Sequence, residues 1–450
     1  MKNTILKLSF YAAAVLTLGI SMVACKDEPD KFVLADGVPT VYYVRPMKAA
    51  AADSLLTGAY MGSGICIVGD NLRSVYKLVF NDQEAILNNS YMTDHTLLVE
   101  VPNEIPGVVT NTMYLITQKA DTVKYDFKVL VPSPVIYSMS NEYAHAGTVA
   151  SLLGDYFVDD PNVPLKVFIG ETQATVKSIT QNEVTFVVPD VPEGEVKVTN
   201  IYGAATAVFH YKDSRGMLFN FDNDPHPTNH GWHNQVIETD ETALAGNFLR
   251  LGGADVTMSA GGGWNDGNFS FEYWPGNWAN PETYEGGERL TDYADFSNWE
   301  KMALKFELYV PKSNPWMAGS MQLIVGGVTK ITTGNKDAVD IDGNVLPGCN
   351  NTYFNNLSLP RGIYVPWYAT GSFDTGDEWI TVTLPYANFT YGRDGKPASG
   401  KLEASDFTSL TIFVWSGDTD ADKEVPGLYQ SGTECNPIIK IDNIRAVPNK

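Results

Sequence analysis

The side chains of this sequence best suited to chemistry are its nine tryptophans, and every one of them lies between Trp232 and Trp415. An indole needs a core or a ligand to cover its large apolar face. Trp264, Trp274, Trp278, Trp316 and Trp367 sit among Gly, Pro and Asn, the residues of turns and loops. Gly261-Gly262-Gly263-Trp264-Asn265-Asp266 and Trp274-Pro275-Gly276-Asn277-Trp278 each set polar side chains beside an indole, as do Asn314-Pro315-Trp316 and Pro366-Trp367-Tyr368. That pairing suits a pyranose ring, whose C–H face stacks on a flat aromatic while its hydroxyl rim takes hydrogen bonds. Burying roughly 100 Å² of apolar area at ~25 cal/mol/Å² gives about 2.5 kcal/mol per platform before ordering costs. Two or three platforms then suit capture and release in the micromolar to millimolar range. The expected carbohydrate-binding residues are Trp278, Trp316 and Trp367, then Tyr364, with Trp264, Trp274 and Tyr368 beside them. Some of these loop indoles are expected to plug their loops onto the core instead. Trp299, Trp379 and Trp415 border strand-like runs and are expected to be core residues.

Other chemistries have weaker support. A glycoside hydrolase would need two carboxylates facing each other across an aromatic cleft. Glu272, Glu282 and Glu307 are candidates, yet no paired motif stands out, and no Ser-His-Asp signature or phosphate-cradling loop is present. His226, His230 and His233 follow Asp222-Asn223-Asp224 and invite a zinc reading, but no cysteine or glutamate completes a ligand spacing, and a polar loop lip explains them equally well. The cysteines are Cys25, Cys66, Cys349 and Cys435, too few for a stapled scaffold. Cys349 and Cys435 have the option of pairing in an oxidising compartment, and Cys66 reads as a buried small hydrophobe.

The elements that must carry these residues are short strands. Gly 39, Pro 25 and 12% aromatic content favour many turns. Within 134–211, apolar residues recur at every second position through Val149–Asp155, Lys166–Ile169, Glu183–Val187 and Gly194–Asn200. Residues 39–129 repeat the plan, with Gly69-Asp70-Asn71-Leu72 answering Gly154-Asp155-Tyr156-Phe157 and Val101-Pro102 answering Val188-Pro189. Each copy fits an immunoglobulin-like sandwich. Residues 217–450 make one larger all-β domain of jelly-roll type, its first strand at Met217–Asp222 and its last at Ile438–Arg445. The expected fold is therefore all-β, with two Ig-like sandwiches in tandem before a larger β-sandwich. The expected boundaries are 1–24, 25–38, 39–131, 132–212 and 213–450. The linkers Val131-Pro132-Ser133-Pro134 and Lys212–Gly216 are too short to be flexible tethers and favour a semi-rigid spacer.

Charge and targeting narrow the partners. Lys+Arg 31 against Asp+Glu 53 gives −22, which repels nucleic acid and polyanionic glycans but leaves neutral polymers acceptable. Lys2 and Lys7, the apolar run Leu8–Ile20 and then Met22-Val23-Ala24-Cys25 resemble a bacterial lipoprotein signal, with Cys25 as the lipidated residue. Lys26-Asp27-Glu28 resembles the surface-export tag of Bacteroidetes lipoproteins. The expected place is the outer membrane, lipid-anchored and facing outward.

The Gly-Asp turns and Val-Pro strand ends resemble IPT/TIG domains. Tyr364-Val365-Pro366-Trp367, Phe373–Trp379, Ile380–Pro385, Phe389–Gly395 and Lys440–Arg445 complete a whole-chain likeness. The chain resembles surface glycan-binding proteins of Sus-like polysaccharide-utilisation systems. The resemblance implies a non-catalytic lipoprotein holding a neutral polysaccharide, such as a β-glucan or xyloglucan, on aromatic platforms. It implies partners too: a TonB-dependent importer with its SusD-like lipoprotein, and a surface endo-glycanase. Related carbohydrate-binding sandwiches often hold a structural calcium where the terminal strands meet, which implies Asp222 and Asp442 as oxygen ligands. No cofactor is implied. A host-protein adhesin using the Ig-like domains is the remaining alternative, disfavoured by the tryptophan distribution.

Overall fold

The computed structural model describes residues 33–51, 53–222, 236–260, 265–273, 288–325, 330–331, 337–339, 345–347, 359–392, 396–415 and 432–449. The expectations for Cys25, His226, His230, His233, Trp264, Trp274, Trp278, Glu282 and Cys349 lie outside the described residues. The chain forms two compact units that divide between Pro132 and Ser133.

The first sandwich comprises β1 (Thr40–Pro46), β2 (Gly58–Tyr60), β3 (Gly64–Asp70), β4 (Val75–Phe80), β5 (Gln83–Glu84), β6 (Thr96–Glu100), β7 (Thr112–Thr117), β8 (Thr122–Asp126) and β9 (Lys128–Leu130). One sheet runs β1-β3-β6 and the other β5-β4-β7-β8, with β2 and β9 as a short parallel pair. The second sandwich comprises β10 (Val135–Met139), β11 (Val149–Asp155), β12 (Lys166–Ile169), β13 (Thr172–Gln173), β14 (Thr175–Ile179), β15 (Glu183–Val187), β16 (Gly194–Asn200) and β17 (Gly203–Tyr211). Its sheets run β10-β11-β15-β14 and β13-β12-β16-β17.

The repeat seen in the sequence is a repeat of structure. Both copies bulge at the same tyrosine, between Val41 and Tyr43 in one and between Ile136 and Ser138 in the other. The bulged Tyr42 and Tyr137 donate their hydroxyls to Asp70 and Asp155, the aspartates of the Gly-Asp turns. The glycine before each aspartate is obligatory, because a Cβ on Gly69 would stand 1.8 Å from the Thr40 carbonyl and one on Gly154 1.9 Å from the Val135 carbonyl.

The C-terminal domain is a two-sheet sandwich. It comprises β18 (Met217–Phe219), β19 (Val236–Glu238), β20 (Phe248–Gly252), β21 (Ser270–Tyr273), β22 (Met302–Tyr309), β23 (Ser320–Val325), β24 (Lys330–Ile331), β25 (Asp337–Val339), β26 (Val345–Pro347), β27 (Arg361–Tyr364), β28 (Ile380–Pro385), β29 (Leu410–Trp415) and β30 (Ile438–Pro448). One sheet runs β19-β20-β30-β22-β28, with β18 also paired to β30, and the other runs β21-β29-β23-β27. The first and last strands of this domain pair, Met217 lying opposite Arg445. Leu249, Leu304, Phe306 and Ile441 of one sheet close on Phe271, Leu323 and Ile412 of the other in one core. The fold is the all-β class expected from the sequence, and no described helix is long and apolar enough to cross a membrane.

A buried ionic network joins the second sandwich to this domain. Arg445 grips Glu307 with two hydrogen bonds of 2.8 and 3.0 Å and reaches Glu142 of the second sandwich at 2.7 Å. Lys305 donates to the other Glu142 oxygen at 2.5 Å. All four side chains are buried. Burial works against the Arg445 charge, but Glu307 and Glu142 hold its proton more firmly than usual. Burial lowers Lys305 despite Glu142. Backbone bonds finish the seam, Thr381 N–H to the Ser140 carbonyl at 2.9 Å and Glu142 N–H to the Thr381 hydroxyl at 2.7 Å. The linker is pinned as well, with Arg215 clamping Asp213 at 2.8 and 2.7 Å.

Truncating Glu142 leaves two buried cations facing one carboxylate. Glu142→Ala is expected to cost about 3–5 kcal/mol of unfolding free energy. Denaturant unfolding of the full chain, followed by tryptophan fluorescence, measures it; a loss under about 1 kcal/mol would mean that water already screens the network.

Candidate functional site

The seam accounts for one outer face of the C-terminal sandwich. Residues of β22 that alternate with the core set, Lys305, Glu307 and Tyr309, point out of the six-stranded sheet toward the second sandwich. Phe248, Tyr309, Trp379 and Leu244 form a second apolar cluster there, with Tyr143 of the second sandwich packed against it. Arg445 stacks over the Tyr143 ring at 4.9 Å, and the Tyr143 hydroxyl donates to the Asp213 carbonyl at 2.7 Å. This face is occupied by protein.

The outer face of the other sheet carries a different set. Strand alternation puts Phe271, Tyr273, Met321, Leu323, Val325, Leu410, Ile412 and Val414 into the core. Their neighbours face away. Register aligns Glu272, Thr411, Ile324 and Arg361 in one cross-strand row, and Ser270, Phe413, Gln322 and Ile363 in the next. Trp415 and Ser320 make a third. The Arg361 guanidinium donates to the Gln322 amide oxygen at 2.8 Å, across the diagonal. Phe413 and Trp415 hold their rings in parallel planes, 3° apart with centroids separated by 6.3 Å. A guanidinium, an amide, a carboxylate and hydroxyls beside parallel aromatic planes are the group types a sugar's rim and face require. Phe413 is 1% and Trp415 7% exposed, however, so the described part of this face, like the seam face, is covered and presents no open platform. Glu272, Gln322 and Arg361 are all buried. The chain leaves this sheet into 274–287, 326–358 and 416–431, which include Trp274 and Trp278.

Three of the expected platforms are not platforms. Trp316 is fully buried and Trp367 is 4% exposed. Their indole N–H groups donate to the Ala318 and Gly319 carbonyls at 2.6 and 2.7 Å. Trp316 also pairs with Phe373 as a β-bridge, backbone to backbone. Both are plugs that close the end of the sandwich: turn residues marked the loops correctly but not the direction in which those loops fold. Tyr364 lies opposite Met321 on the inward side of β27, packs edge-on to Trp316 at 6.1 Å, and has its hydroxyl pKa raised by burial. Tyr368 is 42% exposed and keeps its place as a candidate.

Trp299 packs against the core beside Phe407, and Trp379 is buried in the seam cluster. Trp415 is buried too, but on the outer face rather than in the central core. Sequence reading missed the outward-pointing set of Gln322, Arg361, Phe413 and Trp415, which spans three adjacent rows. The signal was present in the alternation itself, since Glu272, Gln322 and Thr411 interrupt otherwise apolar strands at every second position.

The acids are placed apart. Glu307 serves the seam on one sheet and Glu272 lies on the outer face of the other, so these two do not flank a common cleft. Asp222 accepts the Asn247 N–H at 2.5 Å, near the paired terminal strands. Asp442 is buried on β30, and burial pushes its carboxyl up to about 9; the Asn443 N–H opposes this, while the charges of Glu307 and Asp222 add to it. Asp222 and Asp442 thus lie near enough for their charges to repel, an imbalance that an oxygen-ligated cation would relieve. Glu193, His210 and Asp213 also cluster, but Asp213 is already clamped by Arg215. Cys66 and Cys435 are buried and free.

Comparison with known proteins follows the same division. The family of the surface glycan-binding protein B xyloglucan binding domain matches residues 211–448, and the IPT/TIG domain family matches 134–212. The solved surface glycan-binding protein PbSGBP-B of Prevotella bryantii is 48% identical, with a TM-score of 0.82 over 93% of this chain and 100% of that one. The SGBP-B from a complex xyloglucan utilization locus in Bacteroides uniformis is 14% identical, with a TM-score of 0.40 over 92% of this chain and 100% of that one. An IPT/TIG domain-containing protein of Bacteroides ovatus is 29% identical over 145 residues, 31% of this chain and 29% of that relative, so the match spans under a third of its length.

Because Trp316 and Trp367 fill the sandwich end, Trp316→Ala and Trp367→Ala are each expected to lose about 3–5 kcal/mol of stability. Thermal denaturation checks this. An unchanged melting temperature with weakened sugar binding would restore them as platforms.

Proposed function

This chain belongs to the surface glycan-binding protein B family and binds glycan at the cell surface; from that premise we propose that it captures a neutral β-linked polysaccharide, a xyloglucan or other β-glucan, without cleaving it. The observation that carries this reading is the match of residues 211–448 to the surface glycan-binding protein B xyloglucan binding domain. Trp274 and Trp278 are assigned as aromatic platforms on the sequence alone, because Pro275, Gly276 and Asn277 set turn residues between them. Trp264 and Tyr368 are the further contacts. The xyloglucan-binding description of the matching family supports the polymer class, and the net charge of −22 supports a neutral one. The separation of Glu272 from Glu307 onto different sheets supports capture without hydrolysis.

Lipidation at Cys25 would anchor the protein to the outer membrane, facing out, beside a TonB-dependent importer, its SusD-like lipoprotein and a surface endo-glycanase. A structural calcium held by Asp222 and Asp442 would tie the two terminal strands. It would supply structural charge balance, with no role in chemistry.

Titration calorimetry of the mature protein against xyloglucan, mixed-linkage β-glucan, laminarin and a mannan tests the reading. Heat is expected from one or two β-glucans, with no reducing ends released; silence across the set, or release of oligosaccharide, sinks it. Trp278→Ala and Tyr368→Ala are expected to weaken binding about tenfold or more at an unchanged melting temperature. For the metal, calcium is expected to raise the melting temperature of the EDTA-treated protein but not of Asp442→Asn, as differential scanning calorimetry would report.

A further inference from the structure

The two Ig-like sandwiches share one plan but differ at one sheet edge. Aligning their Val-Pro ends makes Leu97, Leu98, Val99 and Glu100 of β6 equivalent to Val184, Thr185, Phe186 and Val187 of β15. In the second sandwich, β14 covers that edge, with Ile179, Ser178, Val176 and Thr175 lying opposite these residues in turn. In the first sandwich the covering strand stops after a single bridge, Met92 to Leu97. The chain before it is wound into a 3₁₀ turn at Asn89–Tyr91 instead. Among the described residues, no strand pairs with β6 beyond Leu97 on that side.

Hydrogen bonding shows what is left. Val101 exchanges backbone bonds with Ser63 and Gly62 on the β3 side, at 3.0 and 2.9 Å. Antiparallel alternation then turns the Leu98 carbonyl and both backbone groups of Glu100 toward the opposite edge. A groove of about 1150 Å³ runs there, with Leu98 and Glu100 on one wall and Ile86 and Tyr91 on the other. Ile86 is 92% exposed and Tyr91 56%. Asp82, Glu84, Glu100 and Glu104 line it, and no Lys, Arg or His does. Glu84 is paired with Lys77 at 2.6 Å, which leaves Asp82, Glu100 and Glu104 as the acidic rim.

We propose that the first sandwich is a docking module, in which the open β6 edge accepts an extended basic segment of another polypeptide as an added strand. The backbone of the segment takes the place that β14 holds in the sister domain. Its alternate side chains meet the apolar wall of Ile86, Leu98 and Tyr91, and its basic residues meet the rim. The role is distinct from glycan capture, whose residues all belong to the other unit of the chain.

The test uses the full mature protein and a pool of capped seven-residue peptides alternating Lys or Arg with Val, Ile or Thr. A control pool carries Glu in place of the basic residues. The basic pool is expected to slow hydrogen–deuterium exchange across 96–104 and to raise the anisotropy of its fluorescent label, with affinity falling as salt rises. Glu100→Pro removes the outward N–H without touching the β3–β6 ladder, so it is expected to weaken binding at least tenfold at an unchanged melting temperature. If that variant melts early, the double variant Glu100→Lys/Glu104→Lys replaces it, with the same loss for the basic pool and a gain for the acidic one. No protection of 96–104 by the basic pool, equal binding of both pools, or binding indifferent to these substitutions would overturn the proposal. So would protection of 96–104 by cellohexaose but not by peptide, which would make the groove a sugar site.

Discussion

The arrangement of the second unit rests on one buried guanidinium. Arg445, near the end of the last strand, meets Glu307 of its own domain and Glu142 of the preceding one, while Lys305 takes the remaining Glu142 oxygen. Two acids and two bases balance, which is the condition under which charges tolerate removal from water. An apolar seam of equal area would hold the domains together but would specify their register less sharply. Here the Ser140–Glu142 loop has to sit opposite Thr381 and Arg445, because a displaced carboxylate would leave a buried cation alone. The stability of the joint is therefore conditional on its geometry.

That joint also divides the chemistry of the sandwich between its two faces. A β-sandwich has two outer faces, and here one is committed to the neighbouring domain while the described side chains of the other are buried as well. In this chain the division is visible in side-chain chemistry. The seam face pairs charge with opposite charge and covers it with Tyr143, Phe248, Tyr309 and Trp379. The opposite face mixes hydrogen-bonding groups with parallel rings, the Arg361 guanidinium donating to Gln322 beside Phe413 and Trp415.

Much of this was legible in the sequence, for reasons that differ by level. Alternation of apolar residues identified the strands, because a half-buried strand cannot hide its period. The Gly-Asp turns identified the repeat, because Gly69 and Gly154 touch a neighbouring carbonyl and admit no other residue. Burial of the loop tryptophans was not legible. Pro315 and Pro366 announce loops, but the sandwich has open ends that must be stoppered, and Trp316 and Trp367 do that with their indole N–H groups satisfied by backbone. Nor could the seam be read, since Glu142 and Arg445 are 303 positions apart and each looks like an ordinary solvated charge.

The tandem repeat carries its own argument. Two copies of one sandwich that kept the bulged tyrosine, the Gly-Asp turn and the strand order are under the same folding constraints, so a difference between them is informative. The second copy closes its β15 edge with a full strand. The first spends the equivalent residues on a 3₁₀ turn and leaves Ile86 in solvent. Leaving an edge open is a hazard that sheet proteins ordinarily suppress with charge, proline or a covering element. Glu100, Pro102 and Glu104 supply charge and proline here, which discourages self-association of an acidic chain, yet the same acids would favour a basic partner strand. Selectivity of that edge thus follows from the charge that protects it.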